Sequence, residues 1–228
     1  MSTIADNIGL VSERIRAAAH AVQRDENSIH LLAVSKTKPA QAVREAYAAG
    51  MHDFGENYLQ EALGKQAQLT DLPLSWHFIG PIQSNKTRAI AENFAWVHSV
   101  DRLKIAQRLS EQRPADLPPL NICIQVNVSG EASKSGCTPA DLPALALAIS
   151  ALPRLKLRGL MAIPEPTEDR AEQEAAFAAV RDLQASLNLP LDTLSMGMSH
   201  DLESAIAQGA TWVRIGTALF GARDYGQP

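Results

Sequence analysis

The fold is decided by one apolar run that ends in a lysine, Ile29-His30-Leu31-Leu32-Ala33-Val34-Ser35-Lys36, which Thr37-Lys38-Pro39 follows directly. The run predicts a buried strand, and the turn and proline after it predict a helix that begins near Pro39. In α/β barrels the functional residues lie at the carboxyl ends of the strands, where Lys36 falls. Burial there would favour the neutral amine, which can form a Schiff base. The alternative is a lysine that emerges at a strand end and pairs with a carboxylate.

The rest of the chain repeats this alternation of strand and helix. An amphipathic helix comes first, with its apolar face formed by Ile4, Ile8, Val11, Ile15, Ala18 and Val22. Strands are predicted at 29–36, 51–55, 76–80, 96–99, 121–128, 155–161, 192–196 and 211–216. Helices are predicted between them at 39–49, 57–69, 84–93, 101–112, 139–151, 168–187 and 199–208. Eight such units predict one domain over residues 1–228, a TIM-type (β/α)8 barrel with an extra N-terminal helix.

The composition excludes several classes of protein. With 46% apolar and 20% charged residues, the 228-residue chain has the composition of an ordinary globular protein. A net charge of −4 disfavours a general nucleic-acid binder, and no apolar run approaches the ~20 residues that cross a membrane. The N-terminus lacks the features of a signal peptide, and neither Cys123 nor Cys137 has metal-ligand spacing. A reduced, cytoplasmic protein is therefore expected.

The ends of the last two strands suggest an anion site. Ser199 stands at the expected N-cap of the helix after strand seven, and Gly216 and Thr217 follow strand eight. Backbone N–H groups at a helix start and a glycine turn, together with two hydroxyls, can bind a phosphate. Barrels often hold phosphate at this corner. The alternative is that Ser199 is a plain helix cap and Gly216 a tight turn.

A charged residue interrupts the last predicted strand, Trp212-Val213-Arg214-Ile215. An arginine that points into a barrel needs a partner, because an unpaired buried charge is costly. Either a bound aromatic nitrogen heterocycle or the carboxylate of Glu56 could provide one. His77 and His98 also lie in predicted strands, and we interpret both as core or rim residues, not as metal ligands. The sequence contains no catalytic triad, P-loop or dinucleotide fingerprint.

Several stretches, in this order along the chain, resemble the pyridoxal phosphate homeostasis proteins. They are Ala33-Val34-Ser35-Lys36-Thr37-Lys38-Pro39, Phe54-Gly55-Glu56-Asn57-Tyr58, Trp76-His77-Phe78-Ile79-Gly80, Gln83-Ser84-Asn85-Lys86, Gly159-Leu160-Met161, Leu194-Ser195-Met196-Gly197-Met198-Ser199, Arg214-Ile215-Gly216-Thr217 and Phe220-Gly221. The family resembles a stand-alone version of the barrel domain of bacterial alanine racemase, the fold-type III group. The resemblance extends from about residue 4 to residue 224.

The resemblance implies a role for each candidate residue. Lys36 would carry pyridoxal 5'-phosphate as an internal aldimine, and Asn57 would lie beside the cofactor. Arg214 would face the pyridine nitrogen. The phosphate would be held by Ser199, Gly216 and Thr217. The chain departs from the family at His200, where an acidic residue is usual, although Asp201 is kept; this changes the charge at the phosphate corner.

The resemblance also implies a function without catalysis. The protein would hold pyridoxal phosphate and maintain vitamin B6 homeostasis, as a monomer that buffers the cofactor or delivers it to apo forms of pyridoxal-phosphate-dependent enzymes. One alternative is an amino-acid racemase or decarboxylase that uses the cofactor. Such enzymes resemble this barrel plus a C-terminal β-domain, and this chain ends about a dozen residues after strand eight. A Schiff-base aldolase without cofactor would leave the phosphate corner and Arg214 unexplained.

Overall fold

Eight parallel strands close into a barrel in which each strand pairs with the next along the chain and the last pairs with the first. The computed structural model from which this is seen describes residues 1–222. Parallel neighbours require a crossover connection, and helices provide it here. The predicted (β/α)8 barrel with an extra N-terminal helix is therefore confirmed. No helix within the described residues is both long and apolar enough to cross a membrane.

The strands β1 to β8 are, in chain order, His30–Val34, Asp53–Glu56, Ser75–Phe78, Trp96–Val100, Leu120–Gln125, Leu155–Met161, Thr193–Ser195 and Trp212–Ile215. The helices α1 to α9 are Ile4–Ala21, Ala40–Ala48, Leu59–Gln68, Thr87–Asn93, Leu103–Gln112, Leu142–Ser150, Arg170–Ser186, Leu202–Ala207 and Thr217–Phe220. The sequence did not predict α9, which has four residues, because so short a helix shows no periodicity.

Helix α1 packs on the side of the barrel where β8 pairs with β1 and closes the sheet. Thr3 caps it through a capping box with Asp6, and its buried face includes Ile8, Val11 and Ile15. This face covers α8 and α9. Arg14 adds an ion pair to Glu203 of α8, with 2.9 Å between Arg14 Nε and Glu203 Oε1. The extra helix therefore supports the corner formed after β7 and β8.

The interior of the barrel contains aromatic rings and polar side chains, whereas many barrels are filled by layers of branched apolar residues. A small apolar cluster lies inside, separate from the main core between strands and helices; it comprises Leu32, Trp96, Cys123, Met161 and Trp212. His77 stacks on Trp96 with 5.4 Å between ring centroids. The interpretation of His77 and His98 as core residues is confirmed, since both are fully buried and hydrogen-bonded to each other.

A buried ion pair outside the sheet holds the turn that carries Lys36. Lys65 of α3 donates to the Ser35 carbonyl oxygen and to Glu56 Oε1, both at 2.6 Å. Glu61, one turn earlier on α3, accepts from the Thr37 N–H at 2.5 Å. Lys36 is thus flanked by two backbone groups that α3 fixes. Burial raises the pKa of the Glu56 carboxyl, and Lys65 opposes that shift.

This turn also explains why β1 is shorter than the predicted strand 29–36. Thr37 has a φ of 65°, in the left-handed region that a threonine rarely adopts. The chain therefore leaves the extended path after Ser35, whose N–H still bonds to Gly55 of β2 at 3.0 Å. Lys36 consequently lies in the turn beyond β1 and not within the strand.

We predict that Lys65→Met lowers the free energy of unfolding by about 3–5 kcal/mol, because it leaves the fully buried Glu56 carboxylate without its cation. Urea denaturation measures this. Arg44→Met is the matched control: it breaks the exposed ion pair to Asp71 and is expected to leave the free energy of unfolding nearly unchanged, because water screens an exposed pair. Equal losses in the two variants would contradict the assignment. The double variant Lys65→Met with Glu56→Gln is expected to recover part of the loss.

Candidate functional site

One cavity at the carboxyl end of the barrel collects all six candidate residues. Its volume is about 280 Å³, and the candidates among its lining residues are Lys36, Asn57, Ser199, Arg214, Gly216 and Thr217. They come from the ends of β1, β2, β7 and β8 and from the loops that follow these strands. The structure therefore brings together residues that are far apart in sequence, while their roles toward a ligand remain predictions.

Arg214 forms the inner wall of this cavity. Only 5% of the residue is exposed. Its Nη1 donates to Ser195 Oγ at 2.9 Å, and its Nη2 donates to the Ala162 carbonyl oxygen at 3.1 Å. Burial lowers the pKa of the guanidinium to about 10, and the charge of Asp201 opposes that shift. The group therefore stays protonated at neutral pH and presents only hydrogen-bond donors.

The alternative that Glu56 pairs with Arg214 is wrong. Side chains alternate along β2: Gly55 faces into the barrel, where a Cβ would meet Leu32 at 3.1 Å. Glu56 therefore faces outward, and its Oε1 accepts from Ser35 Oγ at 2.8 Å and from Lys65. The partner of Arg214 is Ser195, which the sequence analysis did not single out. A polar residue in the neighbouring short strand was the available signal.

Asn57 brings a buried polar atom without a partner to the cavity. Its Oδ1 is inaccessible to solvent and makes no hydrogen bond within the described residues. Such an atom loses its hydration without compensation, so a ligand donor there would be favourable. Gly80, in the loop after β3, fixes the position: a Cβ on it would lie 2.3 Å from the Asn57 carbonyl oxygen. The sequence analysis missed this close approach.

Ser199 is not the N-cap of the helix that follows β7, contrary to the sequence prediction. Met198, Ser199 and His200 form a turn, and α8 begins only after Asp201. The Asp201 side chain closes this turn, since its Oδ1 accepts from the Met198 N–H at 2.7 Å. The Ser199 carbonyl oxygen accepts from Arg14 Nη2 at 2.8 Å. Ser199 still lines the cavity, but from a turn held by Asp201 and α1.

The end of β8 completes this corner. Gly216 passes close to β1, where a Cβ would lie 3.3 Å from the Val34 carbonyl oxygen. Thr217 is exposed and begins the short helix α9. The first N–H groups of a helix have no acceptor within the helix, so they add donors to the Ser199 and Thr217 hydroxyls. His200 is exposed beside this corner, with its Nε2 3.5 Å from Asp201 Oδ2.

The donor set fits a ligand with three features. The Arg214 guanidinium suits an aromatic nitrogen that accepts a hydrogen bond. The hydroxyls and N–H groups of Ser199, Gly216 and Thr217 suit an anion. The Lys36 amine suits a carbonyl carbon. Pyridoxal 5'-phosphate carries all three features on one ring, so the residues present fit this cofactor.

A second cavity of about 420 Å³ adjoins the first and shares Asn57, Ile79 and Ile163 with it. Its other lining residues include Gln125 of β5 and Lys134. The two cavities together extend from the buried Arg214 to the exposed loops above the barrel. Lys134 is therefore a second lysine near the candidate site, and its reactivity can be compared with that of Lys36.

Comparisons with known proteins agree with this geometry. Residues 10–224 match the family model "Alanine racemase, N-terminal domain". The Pyridoxal phosphate homeostasis protein of Pseudomonas aeruginosa is 78% identical over 100% of this chain and 99% of its own length. PipY of Synechococcus elongatus, solved with pyridoxal phosphate bound, has 45% identity and a TM-score of 0.80 over 91% of this chain and all of its own.

A more distant structural likeness concerns the fold alone. Alanine racemase from Corynebacterium glutamicum superposes with a TM-score of 0.70 at 18% identity, over 99% of this chain and 63% of the racemase chain. The barrel is thus shared by binding proteins and enzymes, and fold does not decide between them. The family model and the close relatives do identify the lineage: the chain belongs to the pyridoxal phosphate homeostasis protein family, whose barrel is that of the alanine racemase N-terminal domain.

Proposed function

We propose that this protein binds pyridoxal 5'-phosphate at the Lys36 cavity and keeps it available to other proteins, without turnover of its own. The observation that carries the proposal is the meeting of six suitable side chains and backbone groups in one cavity. The names of the close relatives and the cofactor bound in PipY support it.

Each residue has a proposed role toward the cofactor. The Lys36 nitrogen bonds to the aldehyde carbon, and the aldehyde oxygen leaves as water, so that a Schiff base forms. Ser199, Gly216 and Thr217 hold the phosphate. Arg214 donates to the pyridine nitrogen, and Asn57 lies beside the ring. The bound cofactor supplies an electrophilic carbon whose ring can withdraw electrons.

A carrier fits the chemistry at Arg214. Pyridoxal phosphate withdraws electrons best when its ring nitrogen is protonated and paired with an acid. Arginine only donates, so Arg214 holds that nitrogen unprotonated. The cavity also reaches exposed residues at Thr217 and His200, which suits transfer of the aldehyde to another protein's lysine. The second candidate, an amino-acid racemase or decarboxylase, rests on the racemase fold alone.

The proposal extends to the setting in which the protein acts. We propose a single domain over residues 1–228 that works in the cytoplasm as a monomer and passes its cofactor to apo forms of pyridoxal-phosphate-dependent enzymes. The reduced cysteines agree with such a compartment, since Cys123 and Cys137 are both buried and unpaired by disulfides.

We predict that borohydride reduction of the protein incubated with pyridoxal phosphate attaches the pyridoxyl group to Lys36. Hydride converts the C=N bond to a stable secondary amine, and peptide mapping by mass spectrometry locates it. Lys36→Ala is expected to abolish this label, whereas Lys134→Ala is expected to leave it unchanged. A label found only on Lys134, which lines the adjoining cavity, would refute the assignment.

We predict that Ser199→Ala with Thr217→Ala weakens retention of pyridoxal phosphate by at least about tenfold, since each hydroxyl would lose a hydrogen bond to a charged group. Equilibrium dialysis against pyridoxal phosphate measures the affinity. Ser150→Ala with Ser186→Ala is the control, because both of these exposed hydroxyls donate to carbonyl oxygens of their own helices. Equal affinity in the two double variants would show that the corner does not bind phosphate.

We predict that the loaded protein restores activity to an apoenzyme that requires pyridoxal phosphate but does not turn over amino acids. The first measurement is reactivation of the apoenzyme, with Lys36→Ala protein as the control. The second is racemisation and carbon dioxide release with single amino acids. Efficient turnover of any amino acid would establish the enzyme in place of the carrier.

A further inference from the structure

A continuous line of buried polar side chains leads from the lower mouth of the barrel to Arg214. Asp53 Oδ1 lies 3.0 Å from His77 Nε2, and His77 Nδ1 lies 2.9 Å from His98 Nε2. His98 Nδ1 lies 2.7 Å from Ser195 Oγ, which accepts from Arg214 Nη1 at 2.9 Å. These five residues, here called the polar column, come from β2, β3, β4, β7 and β8.

The column is deeply buried except at its lower end. His77, His98 and Ser195 are completely inaccessible to solvent. Asp53 is the first residue of β2, at the end of the barrel opposite the cavity, and 34% of its side chain is exposed. Only one end of the column therefore contacts bulk water directly, while the other end forms the wall of the candidate cofactor site.

When both histidines are neutral, the charges at the two ends allow a single order of protons. A carboxylate only accepts, so His77 donates to Asp53 through Nε2 and accepts at Nδ1. His98 must then donate through Nε2 and accept at Nδ1, where the Ser195 hydroxyl donates. Ser195 Oγ in turn accepts from Arg214, which only donates. Every hydrogen bond points from the guanidinium toward the carboxylate, and both histidines are neutral Nε2–H tautomers.

The electrostatic environment agrees with neutral histidines. Burial lowers the pKa of His77, and Asp53 opposes that shift. Burial, with the neighbouring His77 and Arg214, lowers the pKa of His98 well below its ordinary value. Burial also pushes the pKa of Asp53 upward, but hydrogen bonding, chiefly from His77, outweighs it, so the pKa lies below the ordinary aspartate value.

Other titratable groups face the column from neighbouring strands and loops. His30 of β1 lies near Asp53 and His77, and Asp201 lies near Arg214. Cys123 of β5 also interacts with Arg214, but burial raises the pKa of its thiol to about 12, so it is neutral. Arg158, which approaches Cys123, is bonded to Asp192 at 2.9 Å.

We propose that Asp53 is a positioning residue for Arg214: its charge fixes the proton order of the polar column, so that the Ser195 hydroxyl donates to His98 and its oxygen accepts from the guanidinium, which is thereby held at the wall of the cofactor cavity. The lower mouth of the barrel and the upper cavity are thereby coupled through the four hydrogen bonds of the column. The order of protons stands on the geometry of the column itself. Its effect on bound pyridoxal phosphate rests on the proposed function.

Histidine tautomers test the proton order without any cofactor. In the full-length chain labelled with 15N-histidine, both His77 and His98 are expected as neutral Nε2–H tautomers at neutral pH. Asp53→Asn removes the charge, and its amide can either donate or accept, so the opposite order becomes possible. That variant is expected to show Nδ1–H tautomer at His77 and His98.

The control is His30→Asn, which removes the histidine near Asp53 that is not part of the column and leaves the column intact. It is expected to keep both Nε2–H tautomers, and single variants at His77 and His98 assign the signals. Nδ1–H or doubly protonated rings in the unmodified protein would overturn the proposal. So would an Asp53→Asn spectrum identical to that of the unmodified protein.

The link to the cavity is tested with pyridoxal phosphate bound. Ser195→Ala breaks the column beside Arg214 and is expected to speed cofactor release about tenfold and to make the absorption band of the bound cofactor vary with pH. Ser195→Thr keeps a hydroxyl and is expected to restore both properties, which a merely structural defect would not predict. Thermal melting checks that each variant is folded.

The outcomes separate this proposal from the proposed function. Identical release and spectra for Ser195→Ala and the unmodified protein would overturn the coupling to the cavity. A chain that binds no pyridoxal phosphate would refute the proposed function, and the histidine spectra would still decide whether Asp53 orders the column.

Discussion

The structure depends on the burial of one cation inside the barrel. The guanidinium of Arg214, a residue that is only 5% exposed, loses most of its hydration, and the protein must replace this hydration with hydrogen-bond acceptors or the fold would lose several kcal/mol. Ser195 and the Ala162 carbonyl oxygen provide two acceptors, and Ser195 in turn needs the histidines behind it. A barrel filled with branched apolar side chains could not supply this series. The polar interior is therefore a consequence of placing Arg214 at the cavity wall.

A second buried cation performs the complementary task outside the sheet. Lys65 packs between α3 and the strand ends, where it satisfies the Ser35 carbonyl oxygen and the Glu56 carboxylate together. With Glu61 it holds the backbone on both sides of Lys36, and the left-handed Thr37 is tolerated because these contacts over-determine the turn. The inner cation positions one wall of the cavity, and the outer cation holds the turn that carries Lys36. The same sheet separates the two charges, so each is solvated by the protein on its own face.

Much of this was accessible from the sequence, and the failures have specific physical causes. Apolar periodicity located all eight strands, because a parallel strand buried on both faces reads as a continuous run. The N-cap prediction at Ser199 failed because the Asp201 side chain bonds back to the Met198 N–H, a contact that spacing alone does not show. The prediction of Glu56 as a partner for Arg214 failed because side chains alternate along β2. Gly55 faces into the barrel, so Glu56 faces outward. The burial of Lys65 was not predicted, because a lysine on an amphipathic helix usually indicates the solvent-exposed face.

The interior chemistry bears on the proposed function, which is binding of the cofactor without turnover. A catalytic pyridoxal phosphate site benefits from a group that can give a proton to the ring nitrogen and take it back. The polar column cannot do so at neutral pH, because each of its protons is committed toward Asp53 and its upper end is a permanently charged donor. A site of this kind stabilises one protonation state of the ring over a broad pH range. Constant affinity across changing conditions would suit the proposed storage and release of a reactive aldehyde.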